Sequence, residues 1–156
     1  MPPGGEGTIK IKGDTGGYGG RKFKKHIKIN TNDPKNKELT FTLFGDVELV
    51  FAMHPRHAKI KGTVGSTQKV VINIVPEKKY NFKILSAKAE KGNHIKYELK
   101  DIKRDDQTAY QLTVENTVTT KGRFFDTIEL KTDSEFQPEI SVWVFVDLED
   151  KDKNNK

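Results

Sequence analysis

The sequence predicts an all-β chain folded as an antiparallel β-sandwich. Apolar and polar residues alternate with period two along most apolar segments. Turn-forming clusters separate these segments every ~8–12 residues, the spacing of sandwiches and barrels. No window of helical length places apolar residues at i, i+3, i+4 and i+7 between caps.

Taken in order, Thr8–Lys12 reads as a strand with Ile9 and Ile11 on one face. Ile27 and Ile29 mark the next, and Leu39, Phe41 and Leu43 the one after. Val70–Val75 is a near-continuous apolar run bounded by Gln68-Lys69 and Pro76, as a buried strand would be. Tyr80–Leu85, Ile95–Leu99, Tyr110–Val114, Thr127–Lys131 and Ile140–Leu148 complete the set. Between them lie Asp14–Gly20, Asn32-Asp33-Pro34, Pro76–Lys79, Lys91-Gly92-Asn93, Arg104–Gln107, Lys121-Gly122 and Asp133-Ser134, all rich in turn-forming residues.

An internal repeat sharpens the reading. At a constant offset of 101 residues, Glu38/Glu139, Phe44/Phe145, Asp46/Asp147 and Glu48/Glu149 are identical. Phe23/Phe124, Ile27/Ile128, Thr31/Thr132 and the similar Ile11/Leu112 keep the same offset. A period near 100 residues is the length of one immunoglobulin-like sandwich. Three regions follow: 1–47, the C-terminal half of a truncated module; 48–149, a complete module; and 150–156, an apolar-free tail expected to be disordered. Half a sandwich leaves its inner face bare. Ile27, Ile29, Leu39, Phe41 and Leu43 are therefore expected to form a self-association face, most simply in a homodimer, or to pack within the chain.

The segments Pro3-Gly-Gly-Glu-Gly7, Lys25-His-Ile-Lys-Ile-Asn-Thr-Asn-Asp-Pro34 and Leu39-Thr-Phe-Thr-Leu-Phe-Gly-Asp-Val47 resemble the C-terminal half of a bacterial domain-of-unknown-function family. Its members are immunoglobulin-like modules similar to the abnormal-spindle/hydin class, and more distantly to major sperm protein and PapD-like domains. Pro55, Gly62-Thr-Val-Gly65 and Gly122-Arg-Phe-Phe-Asp-Thr-Ile-Glu-Leu-Lys-Thr-Asp133 resemble a second, more divergent copy. The resemblance implies an exported bacterial protein in the periplasm or beyond, and strand addition as a mode of recognition. Turn and strand motifs speak to fold far more than to activity.

Composition removes several function classes. The 156 residues include no cysteine, which excludes disulfides, cysteine-ligated metals and thiol catalysis. No apolar run approaches ~18 residues, so no membrane insertion by helices is expected. The first residues lack the basic and apolar regions of a signal peptide. The net charge of +6 is dispersed along strands, as in Lys10-Ile11-Lys12, and forms no basic tail or helix. That pattern fits solvated, edge-guarding lysines better than a nucleic-acid footprint.

Candidate chemistry is sparse. His54-Pro55-Arg56-His57 has an H-x-x-H spacing, but a zinc site needs further converging ligands. The glycine-rich Gly13–Gly20 lacks the Gly-Lys and following helix of a phosphate loop and reads as a flexible connection. No serine sits in G-x-S-x-G, and nothing singles out a carboxylate pair. No catalytic residue, cofactor or metal is expected. In the last strand Ile140, Val142, Val144 and Val146 share one face, leaving Trp143 and Phe145 on the other, with Phe125 alongside. These three form either a partner-contact patch or a surface covered by a loop or the preceding half-module. The sequence thus points to a non-catalytic structural or protein-interaction module. The alternative is a carbohydrate-binding module stacking sugars on Tyr18, Tyr97 or Trp143.

Overall fold

The computed structural model describes residues 6–104 and 106–150, in two units, Met1–Leu49 and Val50–Lys156. The Pro3-Gly-Gly motif and the 151–156 tail lie outside the described residues. The division falls two residues beyond the boundary read from the repeat.

The first unit is a two-stranded antiparallel hairpin, β1 (Arg21–Asn30) and β2 (Glu38–Val47). Its turn is closed by side chains: Thr31 Oγ1 accepts from the Asp33 N–H at 3.1 Å, and Asp33 accepts from the Lys35 N–H and the Asn36 amide, both at 2.9 Å. These donors hold the Asp33 carboxyl below its usual pKa. Thr8–Lys12, expected as a strand, lies outside regular secondary structure, with Ile9 and Ile11 exposed. Its alternation is right for a strand, but no neighbour pairs with its backbone, and a strand without a ladder is not stable. The glycine-rich stretch, expected as a flexible connection, forms two hydrogen-bonded turns, Thr15–Tyr18 and Tyr18–Arg21. Gly17 and Gly20 supply the left-handed φ angles of +76° and +72° these turns require.

The second unit is a sandwich of two four-stranded sheets. One has the order β3 (Phe51–His54), β5 (Lys69–Pro76), β8 (Gln107–Asn116), β7 (Ile95–Arg104). The other runs β4 (Ala58–Thr63), β10 (Glu139–Glu149), β9 (Gly122–Thr132), β6 (Ile84–Ala89). With β3 and β4 as the two halves of strand A, the strand order is consistent with the A-B-E-D and C-F-G arrangement of an immunoglobulin-like sandwich. Strand A changes sheets at His54-Pro55, whose bond is cis. Its second half then runs parallel to β10, the one departure from the all-antiparallel expectation. Alternation did not reveal β3 and β4. Tyr80–Leu85 was expected to be a strand, but Lys78–Tyr80 is a 3₁₀ turn and β6 begins at Ile84. Phe82 keeps its inward place without a ladder, because its carbonyl accepts the Tyr110 hydroxyl at 3.1 Å.

The core forms where the sheets face each other. Ile72, Ile74, Leu112 and Val114 of one sheet pack with Ile60, Ile128, Leu130, Val142 and Val144 of the other. Tyr97 of β7 ties the sheets at one edge, donating to the Ala87 carbonyl at 3.2 Å and accepting from the Ala89 N–H at 3.3 Å. Leu85 is the extra residue of a bulge in β6 and turns outward. Asp126 is buried, and its carboxylate accepts the N–H groups of Lys91 (3.1 Å), Gly92 (2.8 Å) and Thr127 (2.8 Å). Asp126→Ala strands these donors and is expected to destabilise the sandwich by roughly 1–3 kcal/mol in urea denaturation.

Burial raises the pKa of the Tyr110 phenol. Its contribution to stability is therefore complete below about pH 10 and is lost as pH rises through the folded value. Tyr110→Phe is expected to cost about 1 kcal/mol at neutral pH. It should also flatten the alkaline fall in melting temperature; an unchanged fall would show that another group causes it.

Candidate interaction surfaces

The two terminal hairpins are the same object in two settings. In β1–β2, Asn30 faces Glu38, Ile29 faces Leu39 and Ile27 faces Phe41. In β9–β10, Lys131 faces Glu139, Leu130 faces Ile140 and Ile128 faces Val142, each pair displaced by 101 residues. The turns agree as well. Thr31 N–H donates to the Lys37 carbonyl and Thr132 N–H to that of Pro138, both at 2.9 Å. The Thr31 and Thr132 hydroxyls donate to the carbonyls of Asn36 and Gln137, and accept from the N–H groups of Asp33 and Ser134.

What differs is the cover. In the second unit Ile128, Leu130, Ile140, Val142 and Val144 are at most 2% exposed, because β3-β5-β8-β7 lies over them. In the first unit the matching Leu39, Phe41 and Leu43 are 39%, 51% and 40% exposed, and Ile27 and Ile29 are half-buried. No second sheet lies over this face among the unit's described residues. Only one end is closed: Phe23 is buried, with Tyr18 edge-on to its ring at 5.0 Å. Gly13 sits so close there that a Cβ would come within 3.1 Å of Leu43.

A second surface lies on the outer face of β4-β10-β9. Phe125 and Phe145 face each other across the ladder with rings 5.2 Å apart, and Trp143 lies one pleat along. Their exposures are 43%, 39% and 50%. His57, which sequence reading weighed only as a metal ligand, completes this cluster. Its ring lies nearly parallel to Trp143 at 5.5 Å and edge-on to Phe145 at 6.1 Å. The parallel pairing of β4 with β10 brings it there, a contact that local alternation does not encode. Arg123 and Asp147, paired at 3.4 Å, bound one end of the patch. Phe44, the counterpart of Phe145, also stands on the outer face of its hairpin, opposite Lys24.

The other candidates do not gather into sites. Among the described residues, no three His, Asp or Glu side chains come together as a metal site. Tyr97 is half-buried and tied between the sheets by its hydroxyl, and the half-buried Tyr18 meets Phe23 edge-on with Arg21 and Lys25 near its ring, so the two lie in separate units and do not form one stacking platform. No family model matches the chain, and no curated protein is significantly similar to it.

Apolar residues on the two faces of β9 should respond differently to truncation according to their cover. Ile128→Ala is expected to cost roughly 2–5 kcal/mol and Phe125→Ala about 1 kcal/mol or less, measured by denaturant unfolding. Similar losses at both would contradict the exposed placement of Phe125.

Proposed function

We propose that the chain is a non-catalytic structural or protein-interaction sandwich module from a tandem array, and that its docking element is the β1–β2 hairpin. The supporting observation is the bare apolar face of Leu39, Phe41 and Leu43, set against the same face buried in β9–β10. Fully burying one large apolar side chain is worth ~1.5–3 kcal/mol, so a partner that covers the set gains substantially. A protein partner, or a second copy when none is present, is the natural cover. Light scattering should show concentration-dependent self-association of the chain. It should be abolished by Ile27→Lys combined with Phe41→Lys. A monomeric chain whose residues 21–47 exchange their amide protons slowly would mean internal burial and would sink this reading.

A second reading, carbohydrate binding, draws on the near-parallel His57–Trp143 pair. The remaining rings argue against it, since Phe145 stands at 86° to His57 and Phe125 is tilted 51° to Phe145. Flat sugar rings need a level platform, whereas mutually tilted aromatics resemble protein packing. Trp143 is the only tryptophan, so titration of its fluorescence with polysaccharides tests this directly. No change in emission is expected.

A further inference from the structure

We infer that residues 8–47 supply the last three strands of a sandwich, E, F and G, the first of which forms only on docking. The surface they present fits the A-to-D half of a like module. This rests on the interaction reading above and names the partner's chemistry.

The inference comes from carrying the offset of 101 upstream of the hairpin. Thr8–Lys12 then corresponds to Ala109–Thr113 in the middle of β8. Ile9 falls on Tyr110 and Ile11 on Leu112, both fully buried core residues, and the intervening Lys10 falls on Gln111. Gly13 falls on Val114, a core residue of β8, and Gly13 itself lies against Leu43 and Phe23 of the hairpin. The segment has a strand's side-chain pattern and leads into Gly13 beside the hairpin's apolar face, yet makes no ladder. In the second unit the ladder of β8 is supplied by β5 on one side and β7 on the other, strands B and D. The first unit's described residues contain neither.

The missing partner is therefore specified. It carries a B strand and a D strand that pair antiparallel with Thr8–Lys12 from both sides. Its inner face is aliphatic, like that of Ile72 and Ile74, and covers Leu39, Phe41 and Leu43. Docking makes two kinds of contact at once: apolar burial on the hairpin, and strand addition that turns Thr8–Lys12 into a strand. In the second unit β7 ends at Arg104 and β8 begins at Gln107, so a short connection suffices between a D strand and the segment it pairs with.

The test joins residues 48–104 of this protein to the N-terminus of the full chain and follows amide hydrogen exchange residue by residue. The five residues 1–5 then bridge the added D strand to Glu6, within the range of hairpin connections. Exchange at Thr8–Lys12 and across β1–β2 is expected to slow by about 100-fold or more relative to the unfused chain, toward that of β8. The fused chain carrying Ile27→Lys and Phe41→Lys should lose this gain. Unchanged exchange at Thr8–Lys12 while β5, β8, β9 and β10 keep theirs would overturn the inference, including where the added segment fails to fold. Protection that survives the double substitution would overturn it too. A chain that self-associates yet leaves Thr8–Lys12 unprotected keeps the interaction reading and removes only this partner.

Discussion

The apolar face of a β-hairpin has to be covered, and everything else in this molecule follows from whether it is. Alternation puts half of a strand's residues on one side, and two strands alone cannot bury them. In the second unit the cover is a second sheet, and the same register of side chains becomes a dry core in which Ile128, Leu130 and Val142 are out of reach of water. In the first unit the matching face keeps large apolar residues in solvent. The side-chain chemistry of the two hairpins is alike enough that the difference lies in what stands opposite.

Several devices secure the covered sandwich. Strand A divides between the sheets, so that β3 edges one and β4 the other. Tyr97 bridges the sheets with its hydroxyl, and the buried Asp126 gathers three backbone donors at the turn that links β6 to β7. No buried side-chain polar atom among the described residues lacks a hydrogen-bond partner. The edge strand β7 carries Lys96, Lys100, Lys103 and Arg104, charges that discourage edge-to-edge pairing.

Much of this was legible in the sequence because it is local. The hairpins, their turns and their faces follow from alternation and from Thr31-Asn-Asp-Pro34 and Thr132-Asp-Ser134, where short polar side chains bond to the nearby backbone. What sequence reading missed is set by partners far along the chain. Strand β3 has only four residues, and β4 alternates lysines with residues whose burial depends on pairing with β10, about 85 positions later. Thr8–Lys12 has a strand's pattern without a strand's neighbours. Tyr80–Leu85 has apolar residues at alternate positions, but Phe82 reaches the core from an irregular segment. For the outer aromatic face, Phe125, Trp143 and Phe145 followed from period two, whereas His57 joins them only through the parallel ladder.

Residue-resolved amide hydrogen exchange on the dilute, monomeric chain tests the central contrast most directly. The account predicts that Ile128, Leu130 and Val142 exchange only when the whole sandwich opens. Their counterparts Ile27, Ile29 and Phe41 should exchange faster by about 100-fold or more through local opening of the uncovered hairpin. Equal protection of the two hairpins would contradict it, because the face of β1–β2 would then be covered after all.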